Sequence, residues 1–371
     1  MIDRLLLPPL VLTVTLAAAS ASAQTLFTEN WDDGQGATRW SGPLVTLETP
    51  SLGWDGAVDY AFDYSVLGAP PAPGSLGGST TGVFLESNTT DQTLGDEGES
   101  VGVVPLGFDL PDTNYVLTAQ VYLFWNLETA GSTEYATLGV HHQRSANIPT
   151  TFGINDGDGI AWQVDSDGDG GSRGVMRFES PGPGETRVAT YSDFPDGTIP
   201  GVPTGGLSPV GPFNQWVELS ITSEAGEIEF AMNGYVFETY TNAGAFTGGT
   251  LLLAHSDPFN SVSPDNGAGL SNGVVFDNVT VTAVTPRLTG DYNGNGVVDA
   301  ADYTVWRDTL GDDDFEPGTG ADGDDDGFVS LLDYDVWADN FGDTAATATV
   351  VPEPVGGLLA MVVAAGLFQR R

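Results

Sequence analysis

The sequence predicts a mainly β protein: a large antiparallel sandwich followed by a small helical domain with acidic, cation-binding loops. Three observations carry this expectation. Residues 24–286 hold short β-rich runs broken by Gly, Pro and Asn/Asp clusters, with no sustained 3.6-residue period. Gly accounts for 50 of 371 residues and Pro for 23, a composition of many tight turns, while 40% hydrophobic residues argue against disorder. Residues 287–345 repeat an oxygen-rich loop and a short amphipathic segment, so that Asp302 aligns with Asp333 and Trp306 with Trp337.

Charge narrows the partners. There are 51 Asp plus Glu against 10 basic residues, all of them Arg, for a net charge of −41. A field of that sign repels phosphate backbones and anionic headgroups, so nucleic acid is excluded and divalent cations are the natural counter-charge. The absence of Cys excludes disulfide scaffolds, thiolate zinc sites and Cys nucleophiles.

At the N-terminus, Arg4 precedes an apolar run over 5–18 and then Ala21-Ser22-Ala23. Small residues at −3 and −1 fit a signal-peptidase cleft. Residues 1–23 are therefore read as a signal peptide, cleaved between Ala23 and Gln24.

Within 24–286, β-rich runs fall at 115–125, 135–140, 216–221, 228–232, 235–240, 251–254 and 274–284. The segment 216–240, with a Glu-rich turn and then Asn233-Gly234, reads as two consecutive hairpins. The run 274–281 is expected to pair back onto a first strand near 26–30. This order resembles a concanavalin A-like (laminin G-like) jelly-roll β-sandwich; a carbohydrate-binding module of another jelly-roll family fits the same pattern. The resemblance implies an extracellular polysaccharide as ligand.

Retaining glycosidases on such a fold carry a Glu-x-Asp-x-Glu or Glu-x-Asp-x-x-Glu run, which is absent here. Glu227 and Glu229 share a strand face but are read as a solvated edge. His141, His142 and His255 are assigned to surface or hydrogen-bonded roles, and no Gly-x-Ser-x-Gly elbow occurs. Asp165, Asp167 and Asp169, with Gly170 behind them, form half of a calcium loop. Met176 stands where the closing ligand belongs, so Asp156 or Asp158 would have to complete the site. Of the sandwich tryptophans, Trp125 and Trp216 are assigned to the core. Trp31, Trp40, Trp54 and Trp162 are weighed between core packing and stacking on sugar rings.

The repeated loops have a chemical logic. Calcium takes six to eight oxygens, so alternate residues of a tight loop must turn inward, with Gly at position 6 for the sharp turn. The first loop offers Asp291, Asn293 and Asn295, the carbonyl of Val297, then Asp299 and Asp302. The second offers Asp322, Asp324 and Asp326, the carbonyl of Phe328, then Ser330 and Asp333. Position 12 is Asp where a standard EF-hand has Glu, and the shorter acid reaches less far. A short helix with an apolar stripe follows each loop (Tyr303, Val305, Trp306, Leu310; Tyr334, Val336, Trp337, Phe341), and Pro286 and Pro317 interrupt any helix before it. Residues 288–343 hold 15 Asp and one Glu against one Arg, a density that opposes compaction without cations.

Two calcium loop–helix units without entering helices resemble the type I dockerin domain. The resemblance implies calcium as the bound ion and a cohesin-like protein as partner, contacted at loop positions 10 and 11 and on the following helices. Those positions are Ala300-Ala301 and Leu331-Leu332. Well-known cellulosomal dockerins favour a hydroxyl pair there, so the departure leaves open a divergent cohesin or docking within the same chain.

The C-terminus runs Pro352-Glu353-Pro354, an apolar stretch over 355–368, then Arg370-Arg371. At 1.5 Å per residue the stretch spans about 21 Å, short of a bilayer core. This order resembles the PEP-CTERM sorting signal, which implies cleavage near Pro-Glu-Pro by an exosortase after transient membrane anchoring over 346–371. The whole reads as an exported, secreted or cell-surface calcium-binding protein with a non-catalytic binding or assembly role on extracellular polysaccharide. The alternative is a divergent polysaccharide hydrolase.

Overall fold

The structure is a computed structural model that describes residues 24–50, 53–89, 98–124, 134–165, 174–205, 210–243, 245–259, 273–284, 288–313, 320–324 and 326–344. Ala23, Pro352, Glu353 and Pro354, and with them both terminal address segments, lie outside the described residues. Residues 24–286 and 287–345 form separate compact units.

The larger unit is a sandwich of two antiparallel sheets. The first holds β1 (Thr25–Glu29), β3 (Ala57–Asp63), β4 (Thr81–Glu86), β6 (Tyr115–Phe124), β11 (Trp216–Glu224), β12 (Glu227–Met232), β13 (Tyr235–Thr241) and β15 (Gly273–Ala283). Its order is β13-β12-β11-β6-β15-β4-β3, and β1 also pairs with β15. The second holds β2 (Leu44–Leu47), β5 (Glu99–Val103), β7 (Tyr135–His142), β8 (Gly159–Asp165), β9 (Val175–Ser180), β10 (Thr186–Ala189) and β14 (Thr250–Asp257), ordered β10-β9-β8-β7-β14-β5-β2. The chain crosses repeatedly between the sheets, consistent with a jelly-roll. A four-residue helix, α1 (Gly36–Arg39), follows β1.

The expected pairings are present. The β11–β12–β13 ladder is two hairpins, and the turn residues Ala225, Gly226, Asn233 and Gly234 all have positive φ, as type I′ turns require. β15 returns to β1, with Glu29 opposite Val279. One expectation is corrected: β12 lies inside the sheet with β13 outside it, so Glu227 and Glu229 are not on an edge strand.

Strand alternation builds the core. Tyr115, Leu117, Ala119, Val121 and Leu123 of β6 all face inward. In β15 the inward set runs Val274, Phe276, then Val279 and Val281, because a bulge after Asp277, with Asn278 at φ 48°, shifts the alternation by one residue. Trp162 and Phe230 stack across the sandwich, 5.4 Å apart and 2° from parallel. Trp31, Trp40 and Trp162 are fully buried, which settles them as core residues. Trp216 instead sits half-buried on the outer face of the first sheet, where its indole donates to the Pro70 carbonyl at 2.7 Å.

The smaller unit contains α2 (Ala300–Thr309) and α3 (Leu331–Asp339). Each begins with a capping box, Asp299 with Asp302 and Ser330 with Asp333, which satisfies otherwise orphaned amides of the first turn. Gly311 and Gly342 follow the helices at φ 97° and 96°, a conformation that favours glycine. Tyr292, Trp306, Ala321 and Val329 form the small core, with Tyr303, Val305 and Trp337 packed against it. Among the described residues no helix is long and apolar enough to cross a membrane.

Candidate functional site

The two acidic loops share one wiring. In the first, the Asp291 carboxylate accepts the amides of Asn295 and Gly296 at 3.1 and 2.7 Å. The Asp302 carboxylate accepts those of Asn293 and Asp299 at 3.0 and 2.7 Å. In the second, Asp322 accepts Asp326 and Gly327 at 3.1 and 2.8 Å. Asp333 accepts Asp324 and Ser330 at 3.1 and 2.6 Å. Positions 1 and 12 are thus drawn to the loop centre from opposite ends, and both carboxylates are buried in each copy. Gly296 and Gly327, at position 6, have φ of 82° and 81°. The Asn295 and Asp326 side chains turn back to accept the amides of Val297 and Phe328, both at 2.9 Å.

In the second loop, oxygens of Asp322, Asp324 and Asp333 lie within 4.8 Å of one another. Ligands on opposite sides of an ion bonded at 2.3–2.6 Å stand up to about 5 Å apart, so this donor set fits a hard divalent cation. In the first loop, Asn293 and Asn295 replace two acids with amide oxygens at the same positions. Crowding is visible in the ionisation: burial, then the charges of Asp291 and Asp299, hold Asp302 above the ordinary carboxylate range. Desolvation, then Asp333, Asp326 and Asp322, raise Asp324 likewise.

The loops are tied to each other. Val298 exchanges backbone hydrogen bonds with Gly342 and Asp343, and Val329 does so with Gly311 and Asp312. The Trp306 indole donates to the Ser330 carbonyl at 2.7 Å, and the Trp337 indole to Asp299 at 2.8 Å. Local sequence pattern does not specify this reciprocity, although the equal placement of the two tryptophans four residues after position 12 carries the signal.

Ala300-Ala301 and Leu331-Leu332 are all exposed, the two leucines at 68% and 58%. Leu331 borders an open groove of about 510 Å³ lined by Tyr303, Trp306, Tyr334 and Trp337. The apolar stripe expected only to join the helices therefore also presents an aromatic surface. Leu310 and Phe341, assigned to that stripe, are exposed instead.

In the sandwich, Asp165 is fully buried and accepts the Gly174 amide at 2.8 Å; Asp167 and Asp169 lie outside the described residues. Asp158 and Asp165 sit at opposite ends of the seven-residue β8, roughly 20 Å apart at strand rise, so neither Asp158 nor its neighbour Asp156 completes a site with Asp165. His141 contacts the Tyr115 hydroxyl and the Gly248 carbonyl, whereas His142 contacts Asn147 and Arg144, so the two rings serve separate partners. All three histidines are buried, and each takes the hydrogen-bonded rather than the surface role expected of it.

Two carboxylate arrangements merit comparison with a glycosidase pair. Glu179 and Glu238 face each other between the sheets and share the Arg177 guanidinium, while Tyr240 donates to Glu179 and Trp162 to Glu238. Asp277 is buried and accepts Tyr64 and Ser75. Glu179 and Asp277 are buried and Glu238 is partly exposed, and each carboxylate is held by hydrogen bonds from the fold, an arrangement suited to structure.

No protein-family model matches this chain, and no curated protein matches it. Solved structures similar to it include the carbohydrate-binding module CBM66 from Bacillus subtilis, at 12% identity, covering 55% of this chain and 92% of that one, with a TM-score of 0.30. A GlcNAcα1-4Gal-releasing endo-β-galactosidase from Clostridium perfringens shares 7% identity over 72% of this chain and 64% of its own, with a TM-score of 0.39. A β-1,3-glucanase from Mycobacterium marinum shares 11% over 70% and 99%, with a TM-score of 0.34.

Proposed function

We propose that this chain is an exported, non-catalytic binding or assembly protein. Its sandwich, of the jelly-roll kind, engages extracellular polysaccharide, and residues 287–345 form a calcium-folded docking module of the dockerin kind. The observation that carries the docking module is the matched wiring of the two loops, above all the convergence of Asp322, Asp324 and Asp333 within 4.8 Å. Calcium would be held by Asp291, Asn293, Asn295, the Val297 carbonyl, Asp299 and Asp302 in one loop. Asp322, Asp324, Asp326, the Phe328 carbonyl, Ser330 and Asp333 would hold it in the other.

A bound ion supplies positive charge at the point where the loop carboxylates crowd, so metal binding becomes folding free energy. The chain's own residues do the rest. Capping boxes start each helix from its loop, and the two indoles couple each helix to the opposite loop. The exposed Ala300-Ala301, Leu331-Leu332 and the aromatic groove form the surface for a cohesin-like partner. A non-catalytic role is supported by Arg177 binding both Glu179 and Glu238, and by Tyr64 and Ser75 binding Asp277. Export, signal-peptidase cleavage before Gln24 and exosortase processing near Pro352-Glu353-Pro354 complete this reading.

The test is a glycan-array screen of the full chain with and without calcium, paired with pull-down of cohesin-like proteins. Glycan binding that survives chelation, together with calcium-dependent capture, supports a division of labour between sandwich and module. Hydrolysis of an arrayed glycan would overturn the non-catalytic reading.

A further inference from the structure

One end of the sandwich interior holds a row of acids. Asp257 on β14 stands directly opposite Glu99 on β5 in the ladder. Glu134, immediately before β7, acts on Asp257 from the strand on the other side, and Asp55 acts on Glu99. Glu99, Glu134 and Asp257 are all at most 4% exposed. Like charges directly opposite on neighbouring strands oppose pairing, and burial multiplies the penalty.

The row is also what joins the two sheets there. Ser87 and Asn88 follow β4 of the first sheet. The Asn88 amide donates to Glu99 at 3.1 Å, and its side chain donates to Asp257 at 3.1 Å and to the Phe259 carbonyl. Asp257 in turn accepts the Phe259 amide at 3.0 Å. His255 bridges Ser87 at 2.9 Å and Glu134 at 2.7 Å. Among the described arginines none pairs with Glu99 or Asp257: Arg39, Arg144, Arg177 and Arg307 pair with other carboxylates, and Arg187 is exposed.

We propose that this buried row is a proton-held latch between the sheets, closed in mildly acidic medium and loosened as the pH rises past neutrality. The titratable groups facing it are Asp55, Glu99, Glu134, His255 and Asp257, with Glu48 beside it on the Gly98 amide. Burial first, and then Asp55, push Glu99 up to about 7, and burial with Glu134 raises Asp257. A raised carboxylate stabilises the closed state fully below its ordinary value of 4.5, and that contribution is lost as pH climbs through about 7.

The test is amide hydrogen exchange on the full chain from pH 5 to 8, corrected for intrinsic exchange, read at Asn88 and Phe259. Opening is expected to increase about tenfold or more over this range in the native chain. It should be flat in Glu99→Gln, which keeps an oxygen for the Asn88 amide. Asp257→Asn supplies the same comparison should Glu99→Gln fail to fold. Equal pH dependence in native and variant chains, or none in either, would overturn the latch. So would calcium restoring closure at pH 8, because the row would then be a metal site.

Discussion

The Trp306 indole of α2 donates to the carbonyl of Ser330, 2.7 Å away at the mouth of the other loop. Trp337 of α3 returns the contact to Asp299 at 2.8 Å. Each helix therefore reports on the loop it does not follow, and the two repeats are coupled by side chains as well as by the Val298 and Val329 backbone pairs.

That coupling makes Trp306→Phe a cross-loop lesion. It leaves the Ser330 carbonyl without its indole donor, at a cost of about 1–3 kcal/mol. Calcium affinity is expected to fall mainly at the second loop, although the substitution lies after the first. Titration of loop-specific variants checks this; a loss confined to the first loop would contradict the coupling.

Arg177→Met should be the more damaging change in the sandwich. It strands Glu179 and Glu238 without their shared cation, and because Arg177 and Glu238 are partly exposed the cost should fall below the ~3–5 kcal/mol of a fully buried pair. Arg177→Lys should recover little, because a point charge cannot reproduce the forked contact. Urea unfolding of the sandwich transition measures both.

The segment from Tyr64 to Ser79 lies against the outer face of the first sheet through Tyr64, which donates to Asp277 at 3.0 Å. Burial raises Asp277 to about 6, against the opposing hydrogen bonds of Asn278, Tyr64 and Ser75. Its stabilising contribution is therefore complete below the ordinary value of 3.8 and is lost as pH rises through about 6. Asp277→Asn should flatten the fall in thermal midpoint across that window, and Tyr64→Phe should lower stability by about 1–3 kcal/mol. Midpoints followed from pH 4 to 7 check both.

Much of this was legible in the sequence because short-range rules govern it. The type I′ turn at Asn233-Gly234 and both loop–helix repeats follow from local pattern, and the return of the 274–281 strand to β1 follows from the order of strands in a jelly-roll. The side-chain neighbours that distant strands bring together were not legible. Nothing near Asp257 announces that Glu99 stands opposite it, and a site shared by Asp158 and Asp165 across the strand between them fails because the extended β8 holds its ends far apart. The bulge at Asn278 likewise hides in a run that reads as regular alternation.

The most direct test of the account is calcium calorimetry on the full chain, comparing native protein with Asp291→Ala, Asp322→Ala and the double variant. Two ions should be lost in the double variant and at least one in each single variant, with Trp emission responding to calcium only where a loop is intact. An unchanged number of bound ions in the double variant would contradict it.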